Sequence, residues 1–231
     1  MAFTAQRALT LYAGALTAAV AVFLLSAAAA PNHQTIDVLD VQRINIREPD
    51  GTLRMTISDA ARSPGIIVKN REYPHPDRKS AGMIFFNDEG TENGGLIFSG
   101  HDAAGRRSSV GSLTFDRYEQ DQVVQVMGSQ DGPDKSAGLL VNDQPDATMD
   151  YAALDRTRAM PADQRRTALI QAHFGGTRNR LFVGRAEDGA SQVALKDAAG
   201  HDRLILAVAP DGTASIRFLD QSGKTVRTVQ P

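Results

Sequence analysis

The sequence predicts a mainly β protein: a repetitive antiparallel meander with a short two-helix insertion, preceded by one apolar N-terminal helix. Three observations predict it. Apolar and polar residues alternate over short runs, these runs are separated by Gly- and Asp-rich turns about a dozen residues apart, and one uncharged apolar stretch stands near the N-terminus. Whether the meander forms a sandwich, a barrel-like sheet or an oligomeric prism-like assembly is open at this level.

The apolar stretch runs from Ala8 to Ala30, ALTLYAGALTAAVAVFLLSAAAA, behind Arg7 and ahead of Pro31. About 20 apolar residues cross a bilayer core as a helix, and flanking positive charge keeps that end in the cytoplasm. The stretch is longer than the ~7 to 15 apolar residues of a signal peptide, so residues 1–31 read as an uncleaved anchor. The small residues of SAAAAP equally suit a signal peptidase. The expected address is therefore a bacterial inner membrane, single-pass with an extracytoplasmic C-terminal domain, or the periplasm or exterior after cleavage.

Residues 32–40 form a polar linker, and period two begins at position 41. Ile44 and Ile46 alternate with polar residues, as do Leu53, Met55 and Ile57, with Pro49, Asp50 and Gly51 between them: a hairpin with one apolar face. GMIFFN and GGLIFSG are apolar on both faces, as expected of strands that are central or covered. SLTFDRYEQDQVVQVMG and AGLLVND complete a β-rich region over 41–146. Within FDRYEQDQ an unbroken strand would place Asp116, Tyr118, Gln120 and Gln122 on one face, able to bind a polar ligand by hydrogen bonds or simply to face solvent.

Residues 147–175 are rich in Ala, Leu, Arg and Gln, and predict two short helices meeting at Pro161, which suits a first helical turn. Residues 176–231 return to short strands joined by EDGA, DAAGHD, PDGT and QSGK. PDGTASIRFLD echoes PDGTLRMTISD, and HDAAGRR echoes DAAGHDR, so the two β regions read as one repetitive domain. A single-layer meander must hide its apolar face against other copies, which predicts a homo-oligomer, a trimer among the options, with Leu195, Leu204, Leu206, Ile216 and Phe218 at the interface.

Composition excludes several classes. The 231 residues carry 25 basic and 27 acidic side chains, a balance without the basic excess of a nucleic-acid binder. Cysteine is absent, which removes disulfides, thiolate metal sites and cysteine nucleophiles. No phosphate loop, nucleophile elbow or dinucleotide glycine pattern occurs, and the five histidines never fall at zinc-ligand spacing on a helix.

Three candidate sites remain. FFNDEGTENGGLIFSG sets Asp88, Glu89 and Glu92 among glycines: oxygen ligands suited to calcium, although the spacing matches no standard calcium loop, so a solvated hairpin turn fits equally. EYPHPDR stiffens a loop that could present Tyr73, His75 and Asp77 to a ligand, or could cover a sheet edge. His101 could approach the acidic loop across a hairpin, whereas His173 shares a helical side with Leu169 and Ile170 as a packed histidine would. These residues support a calcium-stabilised binding domain, or a metal-dependent or carboxylate-based hydrolase acting on carbohydrate. No cofactor other than calcium is implied, and the ligand class, protein or carbohydrate, is open.

VQRINIREPDGTLRMTISD, PGIIVKNREYPHPDRKSAGMIFFNDEGTENGGLIFSG and FDRYEQDQVVQV together resemble a family of exported or membrane-anchored bacterial β-rich proteins of unassigned activity. The resemblance spans roughly Val41 to Val126 and continues into GRAEDGASQVALKDAAG. It implies an exported β body and no catalytic residues. With no strong catalytic constellation in the chain, the expected function is a membrane-tethered interaction or structural module of the cell envelope.

Overall fold

A computed structural model describes residues 4–28, 33, 35–73, 75, 78–157, 160–161, 164, 167–168 and 176–231. The chain divides into two compact units, 1–40 and 41–231. The first holds α1 (Ala5–Ala28), whose Ala5–Phe23 segment is long and apolar enough to cross a membrane or serve as a signal sequence. Thr10 and Thr17 return their hydroxyls to the carbonyls of Gln6 and Ala13, so the helix leaves these polar groups satisfied in an apolar setting.

The second unit is built on one open twelve-stranded antiparallel sheet. Its strands are β1 (Arg43–Arg47), β2 (Leu53–Ser58), β5 (Ala81–Phe86), β6 (Glu92–Ala103), β7 (Arg106–Asp116), β8 (Gln122–Asp131), β9 (Asp134–Asp143), β10 (Arg178–Arg185), β11 (Ser191–Lys196), β12 (Asp202–Val208), β13 (Ala214–Leu219) and β14 (Thr225–Val229). They lie side by side in chain order, β1 and β14 forming the two edges. The meander is as the sequence predicts, and no β1–β14 pairing occurs among the described residues. The connection from β2 to β5 carries a separate hairpin, β3 (Ile66–Val68) and β4 (Arg71–Tyr73), and that from β9 to β10 carries α2 (Tyr151–Arg156). Most of the second expected helix, with Leu169, Ile170 and His173, lies outside the described residues.

Among the described residues one turn is used seven times. In 48–52, 87–91, 117–121, 186–190, 197–201, 209–213 and 220–224 the first N–H donates to the fifth carbonyl and the fourth N–H to the first carbonyl. Such turns need a left-handed residue, and six of them place Gly there: Gly51, Gly90, Gly189, Gly200, Gly212 and Gly223. An Asp or Asn at the first or third position caps the turn, as Asp50 does for the Thr52 N–H and Asp220 for those of Ser222 and Lys224. These hydrogen bonds favour the carboxylate and hold Asp50, Asp197, Asp211 and Asp220 below the ordinary carboxyl range, assisted at Asp220 first by the Ser222 hydroxyl. Much of the acidity of the chain is thus turn chemistry.

The exception is 117–121. Its fourth residue is Gln120, and the left-handed conformation falls on Glu119 (φ 48°). FDRYEQDQ is therefore not an unbroken strand: Asp116 ends β7, Gln122 begins β8, and the residues between them turn. Without a glycine to announce it, the turn is hidden in the sequence.

The sheet has two unlike faces. On one, the β3–β4 hairpin forms a second layer: Ile67 packs on Leu53, Ile84 and Phe86 with Ile97 beside them, while Ile66, Val68 and Tyr73 meet Tyr151 of α2. The two tyrosine rings lie 5.5 Å apart. The hairpin tip is fixed by three bonds across the layers. Asn70 N–H donates to the Gly90 carbonyl, its side-chain oxygen accepts the Leu53 N–H, and the Lys69 N–H donates to the Thr91 hydroxyl.

Gly90 and Gly212 separate backbone strain from this contact. Both have a left-handed φ, but a Cβ on Gly90 would meet the Asn70 side chain at 2.5 Å, whereas Gly212 faces open space. Gly212→Ala is expected to cost about 1–2 kcal/mol for its backbone alone. Gly90→Ala should cost about 1–3 kcal/mol more by displacing Asn70 from its hydrogen bonds. Equal losses in urea unfolding would mean that the hairpin tip contributes nothing to stability.

Candidate functional site

The acidic loop does not gather its acids. Asn87 spends its side-chain oxygen on the N–H groups of Glu89 and Thr91, as a turn cap. Asp88 pairs with Arg54 at 2.5 Å, Glu89 accepts the Tyr118 hydroxyl, and both oxygens of Glu92 are taken by Arg78 at 2.6 and 3.0 Å. The three acids thus splay towards three partners. Among the described residues no group of three His, Asp or Glu side chains is arranged to hold a metal ion.

The other expected site residues are also dispersed. Tyr73 is buried in the hairpin cluster, with the Arg71 guanidinium 4.9 Å from its ring centre, and Asp77 lies outside the described residues. His101 bonds Ser108 near the far end of β6. Nine residue steps of extended strand separate it from Glu92, about 30 Å, so it does not join the acidic loop. His75 alone reaches the acids, beside Arg78 and Glu92 in a small cavity.

That cavity, about 50 Å3, lies between the covered sheet face, the β3–β4 hairpin and α2. Its polar lining comes from four segments: His75 and Arg78, Thr91 and Glu92, the turn from Asp116 to Gln122, and Tyr151. The 144–149 segment clamps the turn from outside. Arg117 donates to the Gln144 carbonyl and to Asp146, Gln120 to the Ala147 carbonyl, and the Met149 N–H to the Glu119 carbonyl. Glu119, buried and left-handed, is held by Lys69 from the hairpin tip at 2.7 Å.

Burial shapes the titration here. It pushes Asp116 up to about 8, helped by the charges of Glu92 and Asp121, and Asp121 up to about 7 against the hydrogen bond from the Gln122 N–H. It pushes His75 down to about 4, reinforced by the Arg78 charge, and raises the Tyr151 phenol. Asp121 and Arg78 are not among the expected site residues, and Asp116 is expected only on a strand face shared with Tyr118, Gln120 and Gln122, because no local pattern marks a buried turn there. The polarity of FDRYEQDQ is the one signal, and it was readable as a solvated strand.

The opposite sheet face is a second candidate. Directly paired residues of antiparallel strands share a face. Following the register across the sheet gives one row: Ile44, Ile57, Met83, Leu96, Leu113, Val126, Leu139, Val183, Val193, Leu206, Ile216 and Val229. Every strand contributes an apolar residue. The next row includes Phe115, Val124, Val141, Leu181, Leu195, Leu204 and Phe218. Leu195, Leu204, Leu206, Ile216 and Phe218 therefore lie together on one face. None of the first row is buried, and exposure reaches 37% at Ile216, 49% at Val126 and 53% at Phe115. No described residue of this unit covers this face.

A scan against models of protein families finds no match, and neither does a search of curated proteins.

The cavity makes stability depend on pH. Asp116 and Asp121 keep protons in the folded state that the unfolded chain, with carboxyls near 3.8, has released, so stability falls as pH rises from about 3.8 to about 8. Neutral His75 acts oppositely between about 4 and 6.5, where the unfolded chain binds the extra proton. Above 6.5 the carboxyl effect stands alone. In chelator-treated buffer the unfolding free energy should drop by about 2 kcal/mol from pH 6.5 to 8, and Asp121→Asn should flatten that slope. An unchanged slope in the variant would contradict the assignment.

Proposed function

We propose that this chain is a self-associating structural or interaction module of the bacterial cell envelope, tethered or exported by α1, whose partner is a second copy seated on the uncovered sheet face. The observation that carries the reading is the unbroken apolar row from Ile44 to Val229. Contiguous exposed apolar surface of this extent marks an interaction site, because monomers rarely leave it to water.

Size supports it. Twelve strands spaced about 4.8 Å apart and two rows about 7 Å apart give roughly 800 Å2 per copy, the area that one partner contributes to a stable interface. Sheets of equal twist stack face to face about 10 Å apart, and the same patch then serves both copies about a two-fold axis. The exported address is supported by the apolar α1 and by the resemblance of RINIREPDGTLR and EYPHPDR to exported β-rich proteins. A hydrolase reading has less support, since Asp88, Glu89 and Glu92 are engaged with Arg54, Tyr118 and Arg78.

Light scattering on residues 32–231 tests the association. The expected result is a closed oligomer, reduced to monomer with native circular dichroism by Ile216→Asp or Leu206→Asp. A monomeric wild type, or folded variants of unchanged mass, would overturn the reading.

A further inference from the structure

We propose that the cavity between the sheet and the β3–β4 hairpin binds a single hard cation, with Asp116 and Asp121 as its carboxylate ligands. The argument begins with charge. Of the four acids lining the cavity, Glu92 is neutralised by Arg78 and Glu119 by Lys69. Asp116 and Asp121 have no ion-pair partner among the described residues, so the pair carries two negative charges when ionised. Enclosed charge of that size is met by protons or, when they leave, by a counter-charge.

Unmet hydrogen bonding points to the same place. Asp121 is 2% exposed, and while its Oδ1 accepts the Gln122 N–H, its Oδ2 has no hydrogen-bond partner among the described residues. Asp116 Oδ1 and Tyr151 Oη are likewise buried without one. Three oxygens in want of a partner thus line one cavity, a condition that a bound ion or water relieves. A single water needs about 10–15 Å3, so the cavity admits an ion with a few waters completing its shell. The unpartnered atoms of Asp116, Asp121 and Tyr151 are oxygens, with the His75 imidazole as a nitrogen in the same lining, and this mainly oxygen set favours a hard ion of the calcium class. The ion would tie the end of β7, the turn before β8 and α2 to one centre, one turn along from the acidic loop.

Melting of the full chain in nonionic detergent, followed by circular dichroism at mildly alkaline pH, tests this with Ca2+ alone as the probe. Millimolar Ca2+ is expected to raise the midpoint over EDTA by about 5 °C or more at a hundredfold excess over Kd. Asp121→Asn keeps the side-chain shape and the Oδ1 acceptor and should abolish the shift, whereas Asp88→Asn in the exposed acidic turn should retain it. Equal wild-type midpoints in Ca2+ and EDTA would overturn the proposal, as would a shift that survives Asp121→Asn or vanishes in Asp88→Asn. If Asp121→Asn fails to fold, the wild-type comparison and Asp116→Asn carry the same decision.

Discussion

A sheet has two faces, and the described residues of this unit cover part of one. The whole architecture follows from that constraint. Because the sheet strands lie side by side in chain order, the sheet grows largely by short hairpins, and the longer β2–β5 and β9–β10 connections carry the segments that pack across it. The β3–β4 hairpin and α2 cover one side of the first strands, where the buried clusters of the unit are found. The other side presents an apolar residue from every strand to the surroundings. Apolar surface of this kind is stabilised by a second layer, which is the basis of the proposed self-association.

The covered side concentrates the polar chemistry for the same reason. Where the hairpin and the 144–151 segment close over the sheet, they seal in the ends of β7 and β8, and with them Asp116, Glu119 and Asp121. The clamp is made of backbone carbonyls at Gln144 and Ala147 receiving side chains of the turn, so the turn is held by a distant piece of chain and not by its own composition. That explains how Glu119 keeps a left-handed backbone without being glycine: Lys69 and the Met149 N–H hold it from both ends. The two faces are thus unlike, an uncovered apolar row on one and a buried group of acids on the other.

Most of the fold was legible because its information is local. Alternation at Ile44, Ile46, Met55 and Ile57, and Gly with Asp in PDGT and EDGA, specify hairpins without reference to distant residues, and the face holding Leu195, Leu204, Leu206, Ile216 and Phe218 follows from period two alone. What was not legible depends on contacts far along the chain. The turn at 117–121 has no glycine and exists through the 144–149 segment. The acids of NDEGTEN look like a metal loop because composition cannot reveal that Arg54, Tyr118 and Arg78 arrive from three other places. His101 looked close to that loop because strand length, here the whole of β6, is invisible until the turn ends are known.

The central claim, that a second copy covers the apolar face, is tested most directly by the methionines. Met55 and Met83 lie on that face and Met127 on the opposite one, by the register of β2, β5, β7 and β8. Peroxide oxidation followed by mass spectrometry across a series of protein concentrations measures each separately. The account predicts that Met55 and Met83 become protected as concentration rises while Met127 keeps a constant rate. Equal, concentration-independent oxidation of all three in a folded protein would contradict it.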